Sequence, residues 1–249
     1  MQEYAINSVP QFVECLGEIN RGKRAIYRGQ RRERPLLPKL ARLTTPLSLL
    51  EAEQAMFDDF KGRSVPLLDR QPESAWDWLA LMQHHGLATR LLDWSVNPLV
   101  ALWFTVSKPP AETHPGVLWV FQPNQKDYFT PSHHEDPFQV TQTRLFKPRI
   151  VTQRISSQMG WFTIHHFSRD LQKFIALEED ATYKPLLTKL MIPSEKFARI
   201  RFELDRVGVN AATIFPDLDG LCANIEWSYS TLADEDVCGP HKSFMVRDK

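Results

Sequence analysis

The sequence predicts an α+β fold carried by a single domain over residues 1–249. Three observations lead to it. The chain of 249 residues is 43% hydrophobic, ample for a sizeable buried core. Runs with apolar residues at helical spacing are separated by short apolar runs that read as strands. The two kinds do not alternate regularly, which argues against a parallel sheet built from βαβ units.

Residues 8–21, SVPQFVECLGEINR, begin with a Ser cap and a Pro two residues later and place Phe12, Leu16 and Ile19 on one face, so they predict a helix. AIYRGQ follows as a short strand ending at Gly29. From Ser48 to Lys61, Leu49, Ala52, Ala55, Met56 and Phe60 recur at helical spacing with acids opposite, the pattern of an amphipathic helix. A further helix covers Ser74 to His85 with Trp78, Leu81 and Met82 inward. Gly86 stops it, LATRLLDW is short and extended or turn-like, and Asn97-Pro98 opens the helix PLVALWFTVS. GVLWVFQP, bounded by Gly116 and Pro123, reads as a buried strand. Residues 124–149 are polar and rich in Pro, His and Gln, and are expected to form a long surface loop. Strands return at WFTIHHF and LTKLMIP, the second followed by a helix capped by Ser194 and running to about Arg206. FPDLDGL leads into another short helix, and a polar tail starts at about Ser230.

Thirty Lys plus Arg balance thirty Asp plus Glu, so no global field draws the molecule to nucleic acid or an anionic membrane. One segment departs from that balance. Residues 21–42 carry nine basic residues, Arg31, Arg32 and Arg34 among them, against the single acid Glu33. Such a cluster is either a solvated face or a phosphate or polyanion site. Cys15, Cys222 and Cys238 are too few and too far apart for a disulfide scaffold or a zinc finger, which suits a reducing compartment. The opening MQEYAINSVPQFVECL lacks a basic leader and a long apolar run, and no 18-residue apolar stretch occurs. A cytoplasmic protein without membrane contact is therefore expected.

The stretch QHHGLATRLLDWSVNPLVALWF, residues 83–104, places Arg90 and Asp93 among leucines. A charge removed from water without a partner costs several kcal/mol, so the two either pair with each other as a buried clamp or one of them faces a ligand cleft. Tyr27-Arg28-Gly29 is a second candidate: an arginine at a strand end can grip a diphosphate with its planar fork, and the glycine permits a tight turn or close ligand approach. A third is RISSQMGWFTI, residues 154–164, where Arg154 and Gln158 precede a glycine and a strand. Six of the eight histidines stand in doublets, His84-His85, His133-His134 and His165-His166. Neighbours on a helix or strand diverge, no H-E-x-x-H or C-x-x-C spacing supports a zinc site, and no metal is expected. No G-x-S-x-G, P-loop or dinucleotide-binding glycine run is present.

Taken in order, YRGQ, QHHGLATRLLDWSVNPLVALWF, RISSQMGWFTI and TIFPDLDGL resemble the FRG domain family, from about Ala25 to Ile225. A more distant resemblance is to ADP-ribosyltransferases of the Arg-Ser-Glu type. Tyr27-Arg28-Gly29 is similar to their first motif, LATRLLDW followed by VALWF to their second, and Gln158-Met159-Gly160 to the Gln-x-Glu of their third, with Gly160 where the glutamate would stand. That resemblance implies a small split mixed β-sheet flanked by helices, with NAD as consumed substrate held by Tyr27, Arg28, Gly29, Thr89 and Arg90. It gives Arg28, Asp93 and Gln158 the catalytic roles: Arg28 grips NAD, Thr89 replaces the serine that contacts the ribose, Gln158 addresses the acceptor, and Asp93 is the first candidate to replace the missing glutamate. Asp217, Asp219 and Glu226 are weaker candidates.

The leading expectation is an NAD-dependent ADP-ribosyltransferase, a bacterial toxin or antiphage effector acting on nucleic acid or protein, with Arg31, Arg32 and Arg34 positioning a nucleic-acid acceptor. A cognate antitoxin or inhibitor protein is implied by the same resemblance. A non-catalytic nucleotide- or protein-binding module and a metal-dependent nuclease are the alternatives.

Overall fold

A computed structural model describes residues 2–132, 135–148 and 160–235. Its strands are β1 (Gln2–Ala5), β2 (Ile26–Gln30), β3 (Leu91–Ser95), β4 (Gly116–Phe121), β5 (Arg144–Phe146), β6 (Gly160–Ile164), β7 (Phe167–Ser168), β8 (Lys173–Phe174) and β9 (Leu187–Ile192). The helices are α1 (Val9–Asn20), α2 (Leu49–Ser64), α3 (Ala75–His84), α4 (Pro98–Val106), α5 (Phe197–Arg206), α6 (Ala211–Ile214) and α7 (Leu218–Tyr229). Seven strands form one sheet in the order β1-β9-β4-β2-β3-β6-β5, and β7 pairs with β8 as a separate ribbon. Among the described strands of the sheet, β1 runs parallel to its neighbour β9 and the other pairs are antiparallel, so the sheet is mixed.

Local chemistry accounts for the helix starts. Ser8, Ser74 and Asn97 each accept a backbone N–H with the side chain at the head of α1, α3 and α4, and Ser48 with Glu51 closes a capping box at α2. Ser194 does not cap α5. It opens a 3₁₀ turn, and α5 starts at Phe197 with Lys196 in the cap position and no side-chain cap. In α2 the inward face includes Ala52, Glu53 and Phe57, while Ala55 is exposed, so the helix is rotated from the expected stripe and buries an acid.

The surface loop expected over 124–149 is corrected as well. It contributes the edge strand β5, whose Leu145 and Phe146 are buried, and two 3₁₀ turns that bury Asp127 and Pro137. Polar composition concealed it because an edge strand needs only two inward side chains to dock.

Side-chain alternation assigns the layers. On one face, Tyr27, Leu118, Val120, Leu190 and Ile192 pack under α1, α4 and α5. Leu91, Phe146, Phe162 and Ile164 lie on that same face and pack under α2 and α3, because Tyr27 of β2 and Ser95 of β3 are register partners. The opposite face carries Ile26, Leu92, Trp94, Trp119 and Phe121, covered by Leu36, Leu177 and Tyr183. Two helical groups therefore sit side by side on one face, and their boundary falls where β2 meets β3.

That junction is sparse. β2 pairs with β4 through five residues, yet with β3 only through Tyr27 and Ser95. Past this single pairing the two strands part, and the sheet is split along its middle.

A candidate cleft at the strand split

The split opens into a cleft of about 390 Å³ lined by Tyr27, Arg28 and Gly29 of β2, Asp93, Trp94 and Ser95 of β3, and Gly160 and Phe162 of β6. Gln83 and His84 at the end of α3 form one wall, and Ala101 and Phe104 of α4 with Phe215 form the other. Phe215 stands edge-on to both Trp103 and Phe104, with ring centroids 5.9 and 6.1 Å apart, so the α4 wall is aromatic. Four sequence motifs far apart in the chain thus meet around one space.

Arg28 alternates to the opposite sheet face from Tyr27 and Gly29, and its guanidinium reaches Asp93 because β2 and β3 have separated there. Its Nη1 donates to the Asp93 carbonyl at 2.8 Å and lies 3.5 Å from carboxylate Oδ2. Its Nε is buried without a hydrogen-bond partner. Burial lowers the Arg28 pKa and the Asp93 charge opposes that shift; an arginine remains protonated at neutral pH in either case. The site therefore holds a fixed cation with donor capacity to spare.

Asp93 is half exposed to the cleft. Its two carboxylate oxygens each accept from Gln83 Nε2 at 3.0 Å. Thr89 is wholly buried; its hydroxyl donates to Gln83 Oε1 at 2.6 Å and accepts from the Leu91 N–H at 3.1 Å. Thr89 is thus one step behind the cleft wall and not among its lining residues, contrary to the expectation that it contacts a ribose.

Arg90 is corrected more sharply. It pairs neither with Asp93 nor with the cleft: its Nε and Nη2 donate to Glu53 of α2 at 2.9 and 2.5 Å, and its own backbone N–H donates to the same carboxylate. Both side chains are excluded from solvent, at 2% and 0% exposure. Nη1 meets the Phe138 carbonyl at 3.2 Å, and the Phe138 ring lies 5.2 Å from the guanidinium centre. Arg90 is a buried clamp with another acid, Glu53, and Asp93 is the one of the two that lines the cleft.

Gly29 serves packing first. A Cβ there would lie 2.0 Å from the Ala101 carbonyl and 2.5 Å from Thr105 Oγ1, so its absence lets α4 close on β2 and bring Phe104 to the cleft. Gln158 and Arg154 lie outside the described residues. Gly160, register partner of Ser95, does line the cleft and supplies no carboxylate to it. Arg31, Arg32 and Arg34 are exposed on the loop that leaves β2, where Arg31 Nη1 reaches the Pro109 carbonyl at 3.5 Å. Arg34 and Arg28 are near enough to Arg42 to add to the lowering of its pKa, which burial dominates. Asp217 caps α7 by accepting from the Gly220 N–H. Among the described residues no group of three or more His, Cys, Asp or Glu side chains could hold a metal ion, and no helix is long and apolar enough to cross a membrane.

Residues 23–114 match the family model of the FRG domain. That segment is similar to the FRG domain family. The FRG match covers β2, the basic loop, α2, α3, β3 and α4, and so contains Arg28, Gln83, Thr89 and Asp93. It stops short of Gly160 and Phe215, so the FRG segment supplies most of the cleft and later parts of the chain complete it. No curated protein and no solved structure matches the chain.

Sequence reasoning missed Gln83, Phe104 and Phe215 as cleft residues and Glu53 as the partner of Arg90. Glu53 had a signal: it falls between Leu49 and Phe57 on the stripe that α2 turns inward. Gln83 had none beyond its place in the QHH run, since only the return of β3 beneath α3 brings it to Asp93.

Proposed function

We propose that the cleft binds NAD and that the chain transfers ADP-ribose to a nucleic-acid or protein acceptor. The observation that supports this best is the convergence of Arg28 and Asp93 on one cleft at a split between adjacent strands. In the reaction the ribose–nicotinamide glycosidic bond breaks, nicotinamide leaves with the bonding pair, and positive charge develops at the anomeric carbon. The Asp93 carboxylate is suited to stabilise that charge and to hold a ribose hydroxyl. Once the acceptor has bonded to the anomeric carbon, the same carboxylate can receive its proton. Arg28 presents a partly buried cation to the pyrophosphate. The aromatic wall of Phe104 and Phe215 offers apolar faces to a nicotinamide or adenine ring.

The exposed Arg31, Arg32 and Arg34 favour a nucleic-acid acceptor, whose phosphates they would position. An effector of this kind acting on its own host's molecules would need an inhibitor protein. The test is incubation of the purified chain with NAD, nicotinamide release being followed by chromatography, and mass spectrometry of RNA, DNA and protein after brief expression. Release and an ADP-ribose adduct that both vanish in Arg28→Ala are expected. Binding of NAD without release would favour the second reading, a non-catalytic nucleotide-binding module, which Gly160 supports because it brings no second carboxylate to the cleft.

A further inference from the structure

We infer that Gln83 and Thr89 form a positioning relay that sets the Asp93 carboxylate for the transfer, an inference that rests on the reading above. The relay has one hydrogen-bond direction. The Leu91 N–H occupies a lone pair of the Thr89 hydroxyl, whose proton then goes to Gln83 Oε1 at 2.6 Å. With its carbonyl committed, Gln83 turns its NH₂ to Asp93, where both carboxylate oxygens accept at 3.0 Å. The reverse amide orientation would set a carbonyl against two carboxylate oxygens, so the Asp93 end fixes the choice and leaves the Thr89 hydroxyl to donate to Oε1.

The result is a carboxylate held from two sides. Gln83 fixes its plane from the α3 wall, and Arg28 anchors the backbone carbonyl of the same residue across the split. An unrestrained aspartate at this half-exposed position would sample several rotamers. Thr89, buried behind the wall, touches neither the cleft nor a ligand; it acts through Gln83 alone.

The experiment measures nicotinamide release and NAD binding for the full chain and for Gln83→Ala, Thr89→Val, Thr89→Ser and Gln83→Ala/Thr89→Val, with Arg28→Ala as the inactive control. Thr89→Val keeps the side-chain shape and removes the hydroxyl; Thr89→Ser keeps the hydroxyl. Expected is a fall in kcat on the order of tenfold to a hundredfold in Gln83→Ala and Thr89→Val, with the dissociation constant for NAD changed less than about threefold. Thr89→Ser retains near-native kcat, and the double variant is no slower than Gln83→Ala, because Thr89 has no other route to the site. Unchanged kcat in Gln83→Ala beside an inactive Arg28→Ala overturns the relay and leaves the transferase reading standing. A multiplicative loss in the double variant also overturns it, since that assigns Thr89 an independent role. Absence of nicotinamide release from the unaltered chain overturns the transferase reading and the relay with it.

Discussion

Glu53→Ala should unfold the protein at a much lower temperature without any direct effect on the cleft. The Arg90–Glu53 pair is 2% and 0% exposed, and three Arg90 donors, counting its backbone N–H, converge on the one carboxylate. Removing Glu53 leaves a buried guanidinium with the Pro137 and Phe138 carbonyls and two phenylalanine rings. A buried charge stripped of its partner costs about 3–5 kcal/mol. At about 2–4 °C per kcal/mol for a chain of this size, the melting temperature should fall by about 6–20 °C. The assay is thermal and guanidinium unfolding followed by circular dichroism. Glu53→Leu/Arg90→Met should recover much of the loss, because replacing both charges by apolar groups removes the desolvation cost. Asp93→Asn, at a half-exposed site, should shift stability by less than about 1 kcal/mol. A Glu53→Ala protein within about 0.5 kcal/mol of the parent, or an Asp93→Asn protein as damaged as Glu53→Ala, would refute the division into a clamp and a cleft residue.

Gly29→Ala should cost about 1–3 kcal/mol in guanidinium unfolding, since the Ala101 carbonyl 2.0 Å from the new Cβ belongs to a helix backbone and α4 must shift; unchanged stability would show that α4 yields freely. His165 is held well below its ordinary value, at about 3 against 6.5, chiefly by burial, with the Ile175 backbone opposing the shift and the positive Arg28 adding to it. The unfolded chain therefore takes up a proton from about pH 6.5 downward that the folded chain refuses until about pH 3, so stability declines through that window by on the order of 1 kcal/mol per pH unit. Denaturant midpoints at pH 7 and pH 5 should show the decline, and a His165 imidazole signal titrating near pH 6.5 would contradict it. If nucleic acid is the acceptor, neutralising Arg31, Arg32 and Arg34 should weaken binding and lower the slope of log affinity against log salt by about 0.7–0.9 for each phosphate that the loop ceases to neutralise. A fluorescence-anisotropy titration at several salt concentrations checks this, and an unchanged slope would remove the basic loop from the interface.

Elements defined by neighbours in the chain were legible. Ser8, Ser74 and Asn97 cap where their spacing places them, and GVLWVF is a strand buried along its whole length. Elements defined by distant partners were not. β1 is a strand because β9 runs parallel beside it, and its four residues carry no alternation of their own. Ser194 has the right identity for a cap and the wrong geometry, because the chain leaves β9 through a 3₁₀ turn.

The same division applies to the site. By itself the sequence determined that a charge lies buried within QHHGLATRLLDW, that Arg28 stands in an apolar strand, and that these motifs resemble the FRG domain, because residue identity alone sets the cost of desolvating a charge. Only the tertiary structure decided which acid answers which arginine. Arg90 and Asp93 are three residues apart, yet Arg90, just ahead of β3, meets Glu53 of α2, and Asp93, within β3, meets Gln83 and Arg28 at the split. Residues a few positions apart meet different elements, and which acid or amide waits there is set by how the helices and strands assemble around them.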